Sequence, residues 1–223
     1  MAAAAAPVAE MMGEDGLRAA PRRAGRPSAS EARQKHEAML EAALEEFARH
    51  GFHGASVRAI AERAGLSTRT LYNRYADKVA LFAASLEQSA LHDTWVPSAR
   101  HSGLRDELVR FARHMLGRLS QDRQVRLARV IYRECTSFPQ LEPIARRQYE
   151  RFELEPTEQI LMRYGVAPEK ARDLAAFYVA MTFNRWQACV IYNEPLMSPA
   201  ELNRHVAAAT DLFLNGVLAE AKG

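Results

Sequence analysis

The chain has 223 residues, 48% of them hydrophobic and 26% charged, with a net charge of +3, the balance of an ordinary folded domain protein. No apolar run approaches the roughly 20 residues of a membrane span, and Cys135 and Cys189 form no CxxC pair, which points to two buried thiols. Residues 21–80 carry 11 Lys and Arg against 7 Asp and Glu, and the remainder 19 against 20, so a basic first third sits on a near-neutral body, as suits a reader of polyanions.

Residues 1–16 are alanine-rich and acidic, with no basic residue ahead of the short apolar stretch. A secretory leader needs that positive flank, so a disordered tail and a cytoplasmic location are expected. Residues 17–30 contain no acid, and Gly25-Arg26-Pro27 resembles the core of AT-hook arms. Arg22, Arg23 and Arg26 are therefore candidates for a minor-groove contact, where a narrow A·T-rich groove attracts inserted arginine. A solvated basic linker explains the same residues equally well.

Beyond this tail, apolar residues recur at helical spacing and no alternation of period two persists, so the fold is expected to be all-α. A first helix starts near Ser28, spaced from Glu31 as in a capping box. It buries His36, Met39, Leu40, Ala43, Leu44 and Phe47, and stops at Gly51. Ser56 caps a short helix that faces Val57, Ile60, Ala61 and Ala64 inward, and Gly65 ends it. Ser67 caps the next helix, on which Leu71 and Tyr75 share one face. Asp77 caps a longer one reaching about Trp95, with Pro97 at its end.

Two short helices joined by a glycine turn fit a helix-turn-helix whose second helix enters the major groove. The helical period sends Thr68, Arg69, Tyr72 and Asn73 outward. Arginine pairs bidentately with guanine, asparagine with adenine, and threonine offers a methyl or hydroxyl. Tyr72 suits a phosphate contact, Arg58 a backbone or base contact, and Lys78 a phosphate clamp beside a helix N-terminus. Similar helix pairs occur in proteins that never meet DNA, with tyrosines such as Tyr72 and Tyr75 in the core. Spacing alone leaves both readings open.

Residues 36–86 resemble the DNA-binding domain of the TetR family of bacterial transcriptional regulators. The resemblance rests on Phe47-x3-Gly51, the Ser56-capped Ile60-Ala61 helix, Gly65-Leu66-Ser67, Thr70-Leu71-Tyr72, and Lys78 three residues after Tyr75. It implies that Thr68, Arg69, Tyr72, Asn73 and Arg74 meet the groove and its walls, with Ser67 and Thr70 in the same DNA-facing set. It also implies that Lys78 binds phosphate and that Arg58 stands where a base is sometimes read. Arg74 departs from a common His or Tyr, and Tyr75 from a common Phe.

Past a boundary at residues 97–103, helices are expected at residues 104–119, 125–135, 142–164, 168–192 and 199–218, with Pro156 kinking the third and Ser198 and Glu201 in capping-box spacing. This divides the chain into a tail with a basic arm (1–27), a helix-turn-helix domain (28–80) and a helical regulatory and dimerisation domain (81–223). The 168–192 helix is apolar nearly all round, through Leu174, Phe177, Tyr178, Met181 and Ala188 on one stripe and Ala176, Val179, Phe183, Trp186 and Val190 on another. Such a helix must be covered on both sides. The resemblance implies a homodimer through the last two helices, binding a palindromic operator as a ligand-responsive repressor.

Phe111, Met115, Tyr132, Phe152, Tyr178 and Trp186, with Phe138 and Met162, are candidates for lining an apolar effector cavity, although each also serves as ordinary core. Residues 126–218 are similar, more weakly, to the C-terminal domain of AefR-like members. The histidines show no ligand spacing, and no phosphate loop or nucleophile elbow is present, so neither metal, cofactor nor catalysis is expected. An architectural DNA binder without gene-specific control is the remaining alternative.

Overall fold

The computed structural model describes residues 29–91, 95–97 and 103–216. These residues contain helices and no strand. Arg22, Arg23, Arg26 and the Ser28 cap lie outside them.

Helix α1 (Ala29–Gly54) buries Met39, Leu40, Ala43, Leu44 and Phe47, a stripe at three- and four-residue spacing. His36 does not join that stripe; it is half-buried at the start of the helix, one turn before the core begins. Regular helix is interrupted at Gly51, with φ 74° and ψ 175°. Two things require glycine there: the left-handed φ, and a carboxylate oxygen of Glu134 that an added Cβ would meet at 2.4 Å.

Helices α2 (Val57–Arg63), α3 (Thr68–Arg74) and α4 (Lys78–Leu91) follow. Ile60, Ala61, Leu71, Leu81, Phe82 and Leu86 close over the α1 stripe. Asp77 caps α4 by accepting the amide of Ala80 at 2.7 Å, as its position predicts, and Trp95 lies beyond the helix.

The body comprises α5 (Leu104–Leu119), α6 (Asp122–Glu134), a 3₁₀ turn (Pro139–Leu141), α7 (Glu142–Tyr149), α8 (Glu155–Arg163), α9 (Pro168–Tyr192) and α10 (Pro199–Asn215). The kink expected at Pro156 takes the form of a π-helical stretch, Glu150–Leu154, between α7 and α8. Proline removes an amide donor and its ring crowds the carbonyl four residues back, so widening the preceding turn relieves the clash. Thr157 Oγ1 donates to the Glu153 carbonyl at 2.7 Å and satisfies a backbone acceptor in this stretch. At α10 the Ser198–Glu201 capping box is complete in both directions.

Two apolar cores result. One unites α5, α8, α9 and α10. The other joins α1–α4 to Leu127, Val130, Leu141 and Ile144 of the body, so the apolar packing is continuous across residue 80. The rings of Phe47, Phe52 and Phe82 meet at 4.8–6.0 Å, and Phe138 adds an edge contact to Phe52 at 5.1 Å. Phe138 is thus a joint between head and body.

Gly51→Ala is expected to lower stability by about 1–2 kcal/mol through the left-handed backbone alone, and by more because Glu134 must withdraw. Denaturant unfolding measures it; a loss below about 0.5 kcal/mol would contradict the close approach.

Candidate nucleic-acid interface and effector cavity

The Ser56 hydroxyl caps α2 by accepting the Ala59 amide at 3.3 Å. After Ala64 the chain turns at Gly65 (φ 64°), and the Leu66 amide reaches back to the Ala61 carbonyl at 2.9 Å. Ser67 then caps α3, accepting the Thr70 amide at 3.1 Å and sharing a 2.8 Å hydrogen bond with the Thr70 hydroxyl. Leu71 is buried against the head core, which fixes the rotation of α3. Its opposite face presents Thr68, Arg69, Tyr72 and Asn73 to solvent, Tyr72 at 55% exposure. An arginine, an amide, a threonine and a phenol on one projecting face form a hydrogen-bonding set that matches base edges and phosphates.

The other predicted contacts have partners within the protein. Arg58 pairs with Glu62 at 2.8 Å on the surface. Arg74 turns back to α1, where Nη1 donates to His36 Nδ1 at 2.8 Å, and the Tyr75 ring stacks on His36 with centroids 6.3 Å apart. Lys78 Nζ donates to the carbonyls of His53 (3.0 Å) and Ala55 (3.3 Å) and stands 5.0 Å from the centre of the Phe52 ring. An ammonium has three donors, so one remains for a phosphate.

Pattern reading missed two acids that hold this head. Glu46 is buried in α1, accepts the Ser56 amide at 3.2 Å and pairs with Arg63 at 3.5 Å. Its only signal is an acid standing between Leu44 and Phe47 on the apolar stripe. Glu134, at the end of α6, accepts the amides of Phe52 (3.0 Å) and His53 (2.8 Å) across 82 and 81 residues of chain, a separation at which sequence offers no signal.

A cavity of about 450 Å³ opens in the body, within the usual range for small-molecule sites. Of the candidate lining residues, Tyr132, Phe152 and Trp186 reach it. Phe111 and Tyr178 do not: both are fully buried in the core, and the Tyr178 hydroxyl donates to the Leu108 carbonyl at 3.0 Å. Met115 faces a separate, smaller cavity of about 250 Å³, and Met162 is largely at the surface. Helical period locates a residue's face but not which buried face borders a void, hence the difference. Leu86 and Ala90 of α4, Leu119 of α5, and Ala128 and Ile131 of α6 complete the apolar wall.

Glu153, carried by the π-helical stretch, also lines the cavity. It is partly exposed, on the cavity wall. Burial pushes its carboxyl up to about 7, against the lowering influence of Arg118.

Residues 39–85 match the family model for bacterial regulatory proteins of the tetR family. Over 62 residues the chain is 42% identical to the HTH-type transcriptional regulator RutR of Escherichia coli, a match covering 28% of each chain. Over 65 residues it is 42% identical to the HTH-type transcriptional repressor SCO4008 of Streptomyces coelicolor, covering 29% of this chain and 31% of that one. The chain therefore spans less than a third of the length of the curated relatives it matches. Likeness over the whole fold comes from a TetR-family transcriptional regulator of Mesorhizobium loti, 25% identical with a TM-score of 0.62, covering 82% of this chain and 96% of that one.

The Arg74–His36 contact gives the head a pH dependence. Arg74 donates to Nδ1, so His36 must be neutral there. Burial first, and Arg74 second, hold its pKa below the usual value of about 6.5. The unfolded chain therefore takes up the proton first. Stability should be full above about pH 6.5 and fall as pH drops toward the folded-state pKa. His36→Gln removes the titration. Unfolding curves at a series of pH values should be flatter for the variant, and identical slopes would refute this role.

Proposed function

We propose, for a chain that belongs to the TetR family of bacterial regulatory proteins, that it binds a specific two-fold operator in DNA as a homodimer. In this reading it regulates transcription in the cytoplasm, as a repressor released by a small molecule in the body cavity. The observation that carries it is the projecting α3 face of Thr68, Arg69, Tyr72 and Asn73, backed by buried Leu71 and capped by Ser67. Lys78, at the first turn of α4, adds a cation at a helix N-terminus, a favourable place for a phosphate. Arg74 and Arg58 would join the interface only by exchanging their present partners.

Dimer formation is supported by apolar surface that the single chain leaves uncovered. Phe177 is 57% exposed on α9 and Leu212 67% on α10, with Ala180 and Ile191 exposed on α9. Two copies joined along these helices would form a four-helix contact, and two heads about 34–36 Å apart would fall one DNA turn from each other.

Coupling between cavity and head has a physical route. Helices α4 and α6 both line the cavity, and each ends on the same elbow at residues 51–55. Lys78 of α4 holds its carbonyls and Glu134 of α6 its amides. A ligand that shifted either helix would strain the elbow.

Selection of duplexes from a random pool tests the reading. A palindromic site bound roughly 10³–10⁷ times more tightly than random DNA is expected, whereas a preference of only a few-fold would favour an architectural binder. Arg69→Ala should relax one base pair per half-site at a cost of about 1–3 kcal/mol, and Lys78→Ala should weaken all sequences equally. Equal profiles for the two variants would refute this division between base reading and phosphate clamping.

The double variant Phe177→Glu, Leu212→Glu places four charges into the contact and should yield monomers by sedimentation. A dimer of unchanged stability would put the interface elsewhere.

A further inference from the structure

Two carboxylates are buried, Glu46 in the head and Glu107 in the body, and a third, Glu153, is partly buried at the cavity wall. Glu46 has the Ser56 amide and Arg63. Glu107, 1% exposed, accepts from Arg163 at 2.8 Å and from the Tyr164 hydroxyl at 2.9 Å. The Glu153 side chain, partly buried at the cavity wall, has no hydrogen bond or ion pair among the described residues. A carboxylate partly withdrawn from water and without a direct partner gains from a cation brought to it.

The remaining charges around the cavity do not supply that partner. Arg118 of α5 acts on Glu153 through its charge without a direct contact to it, and its guanidinium lies 5.9 Å from the centre of the Phe152 ring. Glu142 and Arg146 of α7 neutralise each other at 3.1 Å near the surface. The other titratable groups facing the void are the Tyr132 side chain of α6, the Cys135 thiol just past its end and the Tyr149 phenol of α7, and burial raises the pKa of all three, which keeps them neutral. Gln187 and Trp186 face it from α9, and the indole N–H is already given to the Leu119 carbonyl at 3.1 Å.

We propose that the cavity accepts an amphipathic monocation, a protonated amine on an aromatic or branched apolar body, with its ammonium on Glu153. The proposal deepens the reading of the cavity as an effector site and rests on it for any effect on DNA. Tyr132, Tyr149, Phe152 and Trp186 offer four ring systems to the cationic end, whose attraction to aromatic faces strengthens on desolvation. Leu86, Leu127, Ala128 and Ile131 receive the apolar body. The π-helical register sets the acid here: the extra residue in the turn before Pro156 lets Phe152 and Glu153 both line the same wall.

Because the empty site holds Glu153 near its midpoint at neutral pH, an ammonium must draw off the remaining proton. Binding of a cation should release a fraction of a proton at pH 7 and tighten as the pH rises through about 7. An anion directed to Arg118 would show the opposite trend.

The test uses the full chain with three probes that share one apolar body: 4-phenylbutylamine, 4-phenylbutanol and 4-phenylbutyrate. Titration calorimetry and the fluorescence of Trp186 report binding. The amine should bind at least about tenfold tighter than the alcohol, a difference of about 1.4 kcal/mol, and the carboxylate should bind weakest. Glu153→Gln should bring the amine to the level of the alcohol, leave the alcohol unchanged and abolish the pH dependence. Glu142→Gln should alter neither preference. Glu153→Gln should also melt higher than the parent protein at pH 8, since it removes a partly desolvated charge. A carboxylate that binds as well as the amine, an amine preference that survives Glu153→Gln, or no binding by any probe would overturn the proposal. Amine binding that depends on Glu153 but leaves affinity for selected DNA unchanged would uphold the cation site and refute the effector reading.

Discussion

One carboxylate fixes the elbow between head and body. Glu134 closes α6 and receives two successive amides, those of Phe52 and His53, at 3.0 and 2.8 Å. Hydrogen bonds to an ionised acceptor are roughly twice as strong as neutral ones, and these two are possible only because Gly51 has no Cβ to obstruct the approach. From the other side Lys78 holds the carbonyls of His53 and Ala55. A short elbow thus has its donors satisfied by an anion and its acceptors by a cation. The two charges come from separate helices, and the aromatic contacts of Phe47, Phe52, Phe82 and Phe138 pack around them. The orientation of α2 and α3 follows from this elbow, since α2 begins two residues beyond it.

That arrangement changes what Lys78 is. A lysine reserved for phosphate would project into solvent, with an entropic cost to ordering it on DNA. Here its ammonium lies over the Phe52 ring and is anchored on carbonyls before any ligand arrives. Preorganisation of this kind reduces the ordering cost of binding. Arg74 is held differently: its partner His36 is titratable and half-exposed, so its release from α1 is tied to proton uptake. The charged residues around α3 therefore differ in how readily they give up their internal partners.

In the body, one local irregularity organises the cavity wall. Pro156 forbids a regular α-helix across residues 150–156, and the wider turn that replaces it carries Phe152 and Glu153. The helices opposite, α4 and α6, show the cavity Leu86 and Ala90 from one and Ala128, Ile131 and Tyr132 from the other. These same helices end at the elbow, so the wall that faces a bound molecule and the support of the head are parts of the same rods.

Residue pattern alone was enough for the helices, their caps and the outward face of α3. Each of these is set by neighbours within four residues: Ser56, Ser67, Asp77 and Ser198 cap through contacts three residues on, and Leu71 buries one side of α3 because its period leaves no other choice. The kink at Pro156 was legible for the same reason, though its π-helical form was not. Tertiary structure alone decided the rest. It brought Glu134 to residues 52 and 53, placed Arg74 on His36, and put Phe111 and Tyr178 in solid core while Tyr132, Phe152 and Trp186 bordered a void. Those outcomes depend on which helices meet and at what angle, a property of the whole packed set that no local spacing encodes.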